Sequence, residues 1–136
     1  MARPEEIYDV RCDIIVPCAP PSSLAKDSIG RLKCKAIAGA SCFVVLDLET
    51  ADELHKKGIL YIPHFVMDSG EAIQADYELK GVPATRLPNA VKGIYRRVRN
   101  IQEEAREAGE SPLRTALKKA QGRLNSIGNI GRRNVW

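Results

Sequence analysis

Aromatic residues are scarce in this chain, long apolar runs are absent, and no metal or phosphate motif stands out. Phe, Trp and Tyr make up 5% of the sequence and do not alternate with the basic residues, which argues against a stacking platform for single-stranded nucleic acid. No apolar stretch approaches the roughly 20 residues needed to cross a bilayer. The opening residues Met1-Ala2-Arg3-Pro4-Glu5-Glu6 hold no apolar core, so they do not read as a secretory signal. The four cysteines, at 12, 18, 34 and 42, form no C-x-x-C pair. A zinc site is therefore not expected. Without a secretory setting a disulfide framework is not expected either, and the cysteines read as small buried hydrophobes beside strands. There is no G-x-G-x-x-G, and so no tight turn that lays backbone amides on a pyrophosphate. His55 and His64 stand at no recognisable spacing from a nucleophile, which excludes a catalytic triad on this reading.

What is present fits one globular domain. The 136 residues are 44% hydrophobic and 28% charged, enough to bury a modest core and too apolar for a disordered chain. The net charge of +4 is unevenly spread: residues 1–80 carry 9 Lys/Arg against 13 Asp/Glu, and residues 81–136 carry 12 against 4. A mildly acidic body thus precedes a basic tail. Such a tail serves as the solvated face of helices, as a surface for an acidic partner, or as an anion-binding surface.

Asp13-Ile14-Ile15-Val16-Pro17 is a short apolar run closed by proline, the pattern of a parallel strand buried on both faces. Pro20-Pro21-Ser22-Ser23 is a turn, and Asp27 can cap a helical turn reaching Leu32. Ala36-Ile37-Ala38 begins a second strand ended by Gly39, with Phe43-Val44-Val45-Leu46 extending it or forming another. Thr50-Ala51-Asp52-Glu53 reads as a capping box opening a helix to Lys57, with Gly58 as its left-handed stop. Ile59 to Pro63 makes a third strand, and the strand–helix–strand order predicts parallel pairing through a right-handed crossover. Asp68-Ser69-Gly70-Glu71 is a second capping signal, with Asp68 at the cap and Glu71 at the third helical position. That helix runs to Gly81-Val82-Pro83. The longest helix lies between Pro88 and Gly109, with Val91, Ile94, Val98, Ile101 and Ala105 on one stripe. Ser111 caps a last helix with Pro112 at its first position. Its stripe is Leu113, Ala116, Leu117, Ala120 and Leu124, and Gly128 and Gly131 are expected to loosen the tail from Asn125 to Trp136.

Three segments carry a family resemblance: Cys12-Asp13-Ile14-Ile15-Val16-Pro17-Cys18-Ala19, Lys35-Ala36-Ile37-Ala38-Gly39 and Gly58-Ile59-Leu60-Tyr61-Ile62-Pro63. They resemble, in order and separation, the cofactor domain of the glutamate/leucine/phenylalanine/valine dehydrogenases, and the similarity runs from about Glu6 to about Ser126. The resemblance implies an α/β fold: half of a Rossmann-like doubly wound sheet, with three to four mostly parallel short strands, flanking helices and two C-terminal helices. Residues 1–81 would form a partial dinucleotide-binding α/β unit and residues 82–136 a C-terminal helical segment of one domain. It implies that Pro17, Cys18, Ala19, Gly39 and Cys42 lie beside the nicotinamide side of NAD, with Gly39 leaving room for the cofactor. It places Asp68, Ser69 and Gly70 at the rim of an amino-acid pocket.

The same resemblance exposes departures. Where the family carries paired asparagines for the nicotinamide carboxamide, this chain reads Ala40-Ser41-Cys42-Phe43, and Cys and Phe cannot supply an amide's donor and acceptor. Asp68 replaces an asparagine that faces the substrate carboxylate, and Glu71 replaces a second glycine, so negative charges gather where an anion would sit. No lysine here matches the family's catalytic motifs, so no catalytic residue and no metal ligand is assigned. The expectation is a degenerate, incomplete, cytoplasmic dehydrogenase-like protein acting as a non-catalytic binding or assembly subunit. It would associate with itself or with a chain supplying the missing half, because a sheet cut from a larger one leaves a strand edge that recruits partners. The alternative is a complementing subunit of a split NAD-dependent amino-acid dehydrogenase, with NAD bound only alongside its partner chain. The third reading is an anion or nucleic-acid binder using Arg96, Arg97, Arg99, Lys118, Lys119, Arg132 and Arg133. Neither a membrane nor, on the first two readings, a nucleic acid is expected as a partner.

Overall fold

Three short parallel strands organise the fold: β1 (Ile14–Ile15), β2 (Ala36–Ile37) and β3 (Leu60–Tyr61), in the order β1-β2-β3. The computed structural model describes residues 3–18, 24, 26–39, 45 and 47–133, apart from the side chains of residues 4, 5 and 129–133. A 3-10 turn (Pro4–Asp9) precedes β1. The helices are α1 (Lys26–Ile29), α2 (Leu48–Lys56), α3 (His64–Met67), α4 (Gly70–Leu79), α5 (Leu87–Ala108) and α6 (Pro112–Arg133), with a further 3-10 turn (Ala84–Arg86) before α5. The α/β class, the parallel pairing and the two C-terminal helices agree with the sequence reading.

Register places Ile14 beside Ala36 and Leu60, and Ile15 beside Ile37 and Tyr61. Because successive side chains in a strand point to opposite faces, these are two rows on two faces. The Ile15–Ile37–Tyr61 row faces the core: Ile37 is fully buried and Tyr61 nearly so, packed with Leu24, Ile29, Leu32, Leu54 and Leu113. The other row is half open, and Ile14 is 56% exposed. This corrects the reading of Asp13–Pro17 as a strand buried on both faces. An apolar run reports only what a strand could bury, and β1 is an edge strand with one covered face. The expected strand at Phe43–Leu46 falls mostly outside the described residues, although Val45 is buried.

Two caps differ from the sequence expectation. Helix α2 begins at Leu48, two residues before Thr50, and its cap is Asp47, whose carboxylate accepts from the Thr50 amide (2.6 Å) and the Thr50 hydroxyl (3.1 Å). Thr50 is itself buried in the first turn. Asp68 closes α3 rather than opening α4; Ser69 takes the position before α4, and its hydroxyl donates to the Val66 carbonyl (2.8 Å). The stops were well marked, and Gly58, Gly81 and Gly109 all adopt the left-handed conformation (φ +73°, +64° and +64°).

The C-terminal stripes are buried only where the two long helices meet the rest. In α5, Ile101 and Ala105 are buried while Val91 is 38% exposed; in α6, Leu113 and Ala116 are buried while Leu117 and Leu124 are exposed. Val66, Ile101 and Ala116 form a second small core with Val98 against it. Helix α6 also continues to Arg133 through both tail glycines, contrary to the expected loosening.

A polar clamp fixes α6 to α2. Ser111 was expected to cap its own helix; instead its hydroxyl donates to Asp52 (2.7 Å), and Arg114 grips the same carboxylate through Nε (2.8 and 2.9 Å) and Nη2 (2.6 Å). The Arg114 guanidinium, and next to it the Ser111 hydroxyl, hold the Asp52 carboxyl below its ordinary value of 3.8. A carboxylate with a depressed folded pKa stabilises the fold fully above its unfolded value, and that contribution is lost as the pH falls through the folded value. Asp52→Asn is therefore expected to cost about 1–2 kcal/mol at pH 7, since it weakens a charge-assisted pair that is only partly shielded from water. The gap between variant and parent should shrink as urea midpoints are followed from pH 7 to pH 3. Parallel stability curves over that range would rule out the role given to Asp52.

Candidate functional site

In a parallel sheet the strands all end on one side, and loops leaving that side converge. Extending the observed register by two residues brings Pro17, Gly39 and Pro63 into one row beyond β1, β2 and β3. The row is tightly built. Ala38 donates to the Ile15 carbonyl (3.0 Å) and Ile62 to the Ile37 carbonyl (3.0 Å). At Gly39 a Cβ would stand 2.2 Å from the Pro17 carbonyl oxygen and 2.6 Å from the Pro17 ring. The missing side chain of Gly39 thus makes room for the neighbouring strand, a demand internal to the fold that stands beside the room for a cofactor implied by the family resemblance.

Pro17 and Cys18 line a hollow of about 250 Å³ together with Ile7, Tyr8, Ile15, Val16 and Leu24. Cys18 is exposed at its mouth, whereas Cys34 is buried in the core, where burial, and behind it the nearby Cys12, pushes its thiol above the ordinary range. The lining is apolar except for one phenol and one thiol. A dinucleotide needs a larger cleft with several fixed polar groups, so the described residues fit one end of NAD at most and offer no cradle for its pyrophosphate. Ala19 and Cys42, with the Ala40–Phe43 segment, lie outside the described residues.

Asp68, Ser69 and Gly70 follow α3 and lie elsewhere. None of them lines the Pro17–Cys18 hollow; Ser69 instead borders two hollows among α3, α4, α5 and α6. The expected cofactor and rim residues are therefore not brought into one cavity by the described residues. Tyr61 is nearly buried at the end of β3, with its hydroxyl 3.4 Å from Nδ1 of His64. Burial raises the Tyr61 phenol above its ordinary value, so it stays protonated as a hydrogen-bonding group. Among the described residues no group of three His, Cys, Asp or Glu side chains is placed to hold a metal ion, and no helix is long and apolar enough to cross a membrane.

The basic residues of the tail divide by partner. Arg99 pairs with Glu103 (2.9 Å), Lys118 with Glu110 (2.5 Å) and Lys119 with Glu104 (2.5 Å). Arg96 and Arg97 have no ion pair among the described residues, and neither has Arg123, which the sequence reading did not single out. Its signal was local: residues three and four away from Arg123 on the helix include no carboxylate. The side chains of Arg132 and Arg133 lie outside the described set.

The sequence model described as glutamate/leucine/phenylalanine/valine dehydrogenase matches residues 1–121. The chain is 35% identical over 125 residues to a leucine dehydrogenase of Thermoactinomyces intermedius, a match covering 92% of this chain and 34% of that protein. It is 33% identical over 142 residues to a phenylalanine dehydrogenase of Lysinibacillus sphaericus, covering all of this chain and 37% of that one. Among solved structures, the L-tryptophan dehydrogenase of Nostoc punctiforme superposes with a TM-score of 0.83 at 32% identity, over 93% of this chain and 38% of the other. The chain spans about a third of the length of the curated relatives it matches.

Proposed function

Since this chain belongs to the glutamate/leucine/phenylalanine/valine dehydrogenase family, we propose that its 136 residues serve as a binding and assembly part of an amino-acid dehydrogenase, without catalysing oxidation by themselves. The observation carrying this reading is the outer edge of β1, which no other strand pairs among the described residues. Asp13 and Ile15 turn their carbonyls toward β2, accepting from Ala36 (3.1 Å) and Ala38 (3.0 Å). By alternation the peptide groups of Ile14 and Val16 face outward, and their side chains are 56% and 57% exposed. Ile7 is 55% exposed in the segment that lines the same hollow as Val16. An apolar strand edge of this kind recruits another strand, and the occupant proposed here is a strand of a further polypeptide that completes the sheet in the cytoplasm. Light scattering across a concentration series tests it. The parent chain should form a defined complex, with itself or with an added amino-terminal portion of a leucine dehydrogenase, and Ile14→Lys with Val16→Lys should abolish it. A parent that stays monomeric under both conditions rejects the reading.

The packed Pro17–Gly39–Pro63 row supports a second reading, in which the completed sheet binds the nicotinamide side of NAD along Pro17, Cys18, Ala19, Gly39 and Cys42. Asp68, Ser69 and Gly70 would then rim the pocket for a branched or aromatic amino acid, as the names of the relatives suggest. NADH formation from leucine, phenylalanine or tryptophan by the reconstituted pair supports it. Absence of turnover despite a stable complex leaves assembly as the function.

A further inference from the structure

We infer that the groove bounded by α4, α5 and α6 binds a small organic polyphosphate, with its phosphates on Arg96, Arg97 and Arg123 and its ring system against Phe65. The groove holds about 640 Å³ and is lined by those three arginines, by Asn89 and Tyr77, and by Lys80 with Asp76. Asp76 is the one carboxylate on the lining, and Lys80 neutralises it at 2.7 Å. The three guanidinium groups therefore bring an unbalanced positive charge to one concavity. Elsewhere on the same helices Arg99, Lys118 and Lys119 each have a glutamate and Arg114 has Asp52, while Lys92 and Arg106 lie outside this groove. Among the described residues Arg96, Arg97 and Arg123 have no carboxylate partner. Three arginines from two helices, aimed into one groove without counter-charges, are the arrangement that planar, forked recognition of phosphate oxygens uses.

The groove is also two-ended. Ser69, Arg97 and Arg123 are shared with an adjoining hollow of about 460 Å³, whose other walls include Phe65, Val66, Ile101 and Ala120. Phe65 is 39% exposed there, and its ring meets the His64 ring edge-on at 5.5 Å. A cationic end continuous with an apolar end carrying an open aromatic ring matches a ligand with the same division, two or three phosphates joined to a flat ring. Both hollows lie within the size range of small-molecule sites. A free inorganic anion would use only the cationic end. A long nucleic-acid strand would need a longer cationic track than this one short groove. The inference does not rest on the cofactor reading: the groove shares no lining residue with the Pro17–Cys18 hollow, and it shares only Ser69 with the proposed amino-acid rim.

Isothermal titration calorimetry of the 136-residue protein with ATP, pyrophosphate and adenosine tests it. ATP should bind with saturable heat, pyrophosphate more weakly, and adenosine not measurably. Arg97→Gln and Arg123→Gln should each weaken ATP about tenfold, the usual scale for losing one charge-assisted pair. Arg99→Gln, already paired in place, should leave it unchanged. Phe65→Leu should weaken ATP while sparing pyrophosphate, and circular dichroism should confirm that each variant keeps its helices. The inference fails if millimolar ATP gives no heat, if the Arg97→Gln, Arg123→Gln double variant binds like the parent, or if a single-stranded oligonucleotide binds where ATP does not.

Discussion

Gly39→Ala should destabilise the protein by about 3 kcal/mol or more, the upper part of the range for forcing atoms into a filled space. A new methyl would stand 2.2 Å from the Pro17 carbonyl oxygen and 2.9 Å from the Pro17 nitrogen. Both are backbone atoms, so no side chain can swing aside. Relief requires β1 to move away from β2, which would break the Ala38-to-Ile15 hydrogen bond. A well-chosen control exists in Gly122, which lies exposed in α6 with nothing within 4 Å of where its Cβ would be. Gly122→Ala should stabilise by about 0.8–1 kcal/mol, the helix preference alone. Urea unfolding of the two variants should therefore shift in opposite directions. A Gly39→Ala protein as stable as its parent would show that the strand ends have slack, and the glycine would then be free to serve a ligand alone.

Ile37→Ala should cost about 4 kcal/mol, within the range for deleting a buried branched side chain and leaving a cavity. Ile37 is fully buried at the centre of the sheet, flanked on its own face by Ile15 and Tyr61. The expected loss is a large share of the whole stability of a domain of this size. The matching change one strand away and on the opposite face, Ile14→Ala, should cost no more than about 0.5 kcal/mol, as surface substitutions do. Equal losses at the two positions would mean that the Ile14 face is covered in solution. That result would strengthen the case for an assembled form, and comparison at high and low protein concentration would separate the two explanations.

Much of this fold was legible because its punctuation is local. Gly58 and Gly109 end helices whatever surrounds them, since only the backbone conformation matters. The parallel order of β1, β2 and β3 followed from short apolar strands separated by a helix. Legibility failed where two residues could do the same task. Asp47 and Thr50 are both residue types that cap helices; the cap fell to Asp47, which accepts from the Thr50 amide and hydroxyl while Thr50 and Ala51 are buried in the first turn. Ser111 looked like a cap and became a partner of Asp52, 59 residues away, a distance across which no sequence pattern reaches. Of the candidate site, Pro17 and Cys18 do sit at a strand end, and the separation of Asp68 to Gly70 from them depends on the short helix α3, which periodicity over four residues cannot reveal. Arg123 was overlooked because charge was counted along the chain; its significance came from the carboxylates it lacks as neighbours.

Parallel pairing also shapes how the chain finds its native state. Ile14 meets Ala36, and Ala36 meets Leu60, so each pairing joins positions 22 and then 24 residues apart. No tight hairpin can seed such a sheet, and the ends must be brought together before any ladder bond repays the lost chain entropy. The helical hairpin of α5 and α6, joined by only Gly109, Glu110 and Ser111, faces no such delay. Its helices are placed to form early and to offer Leu113 as a ready surface, on which the strands condense last.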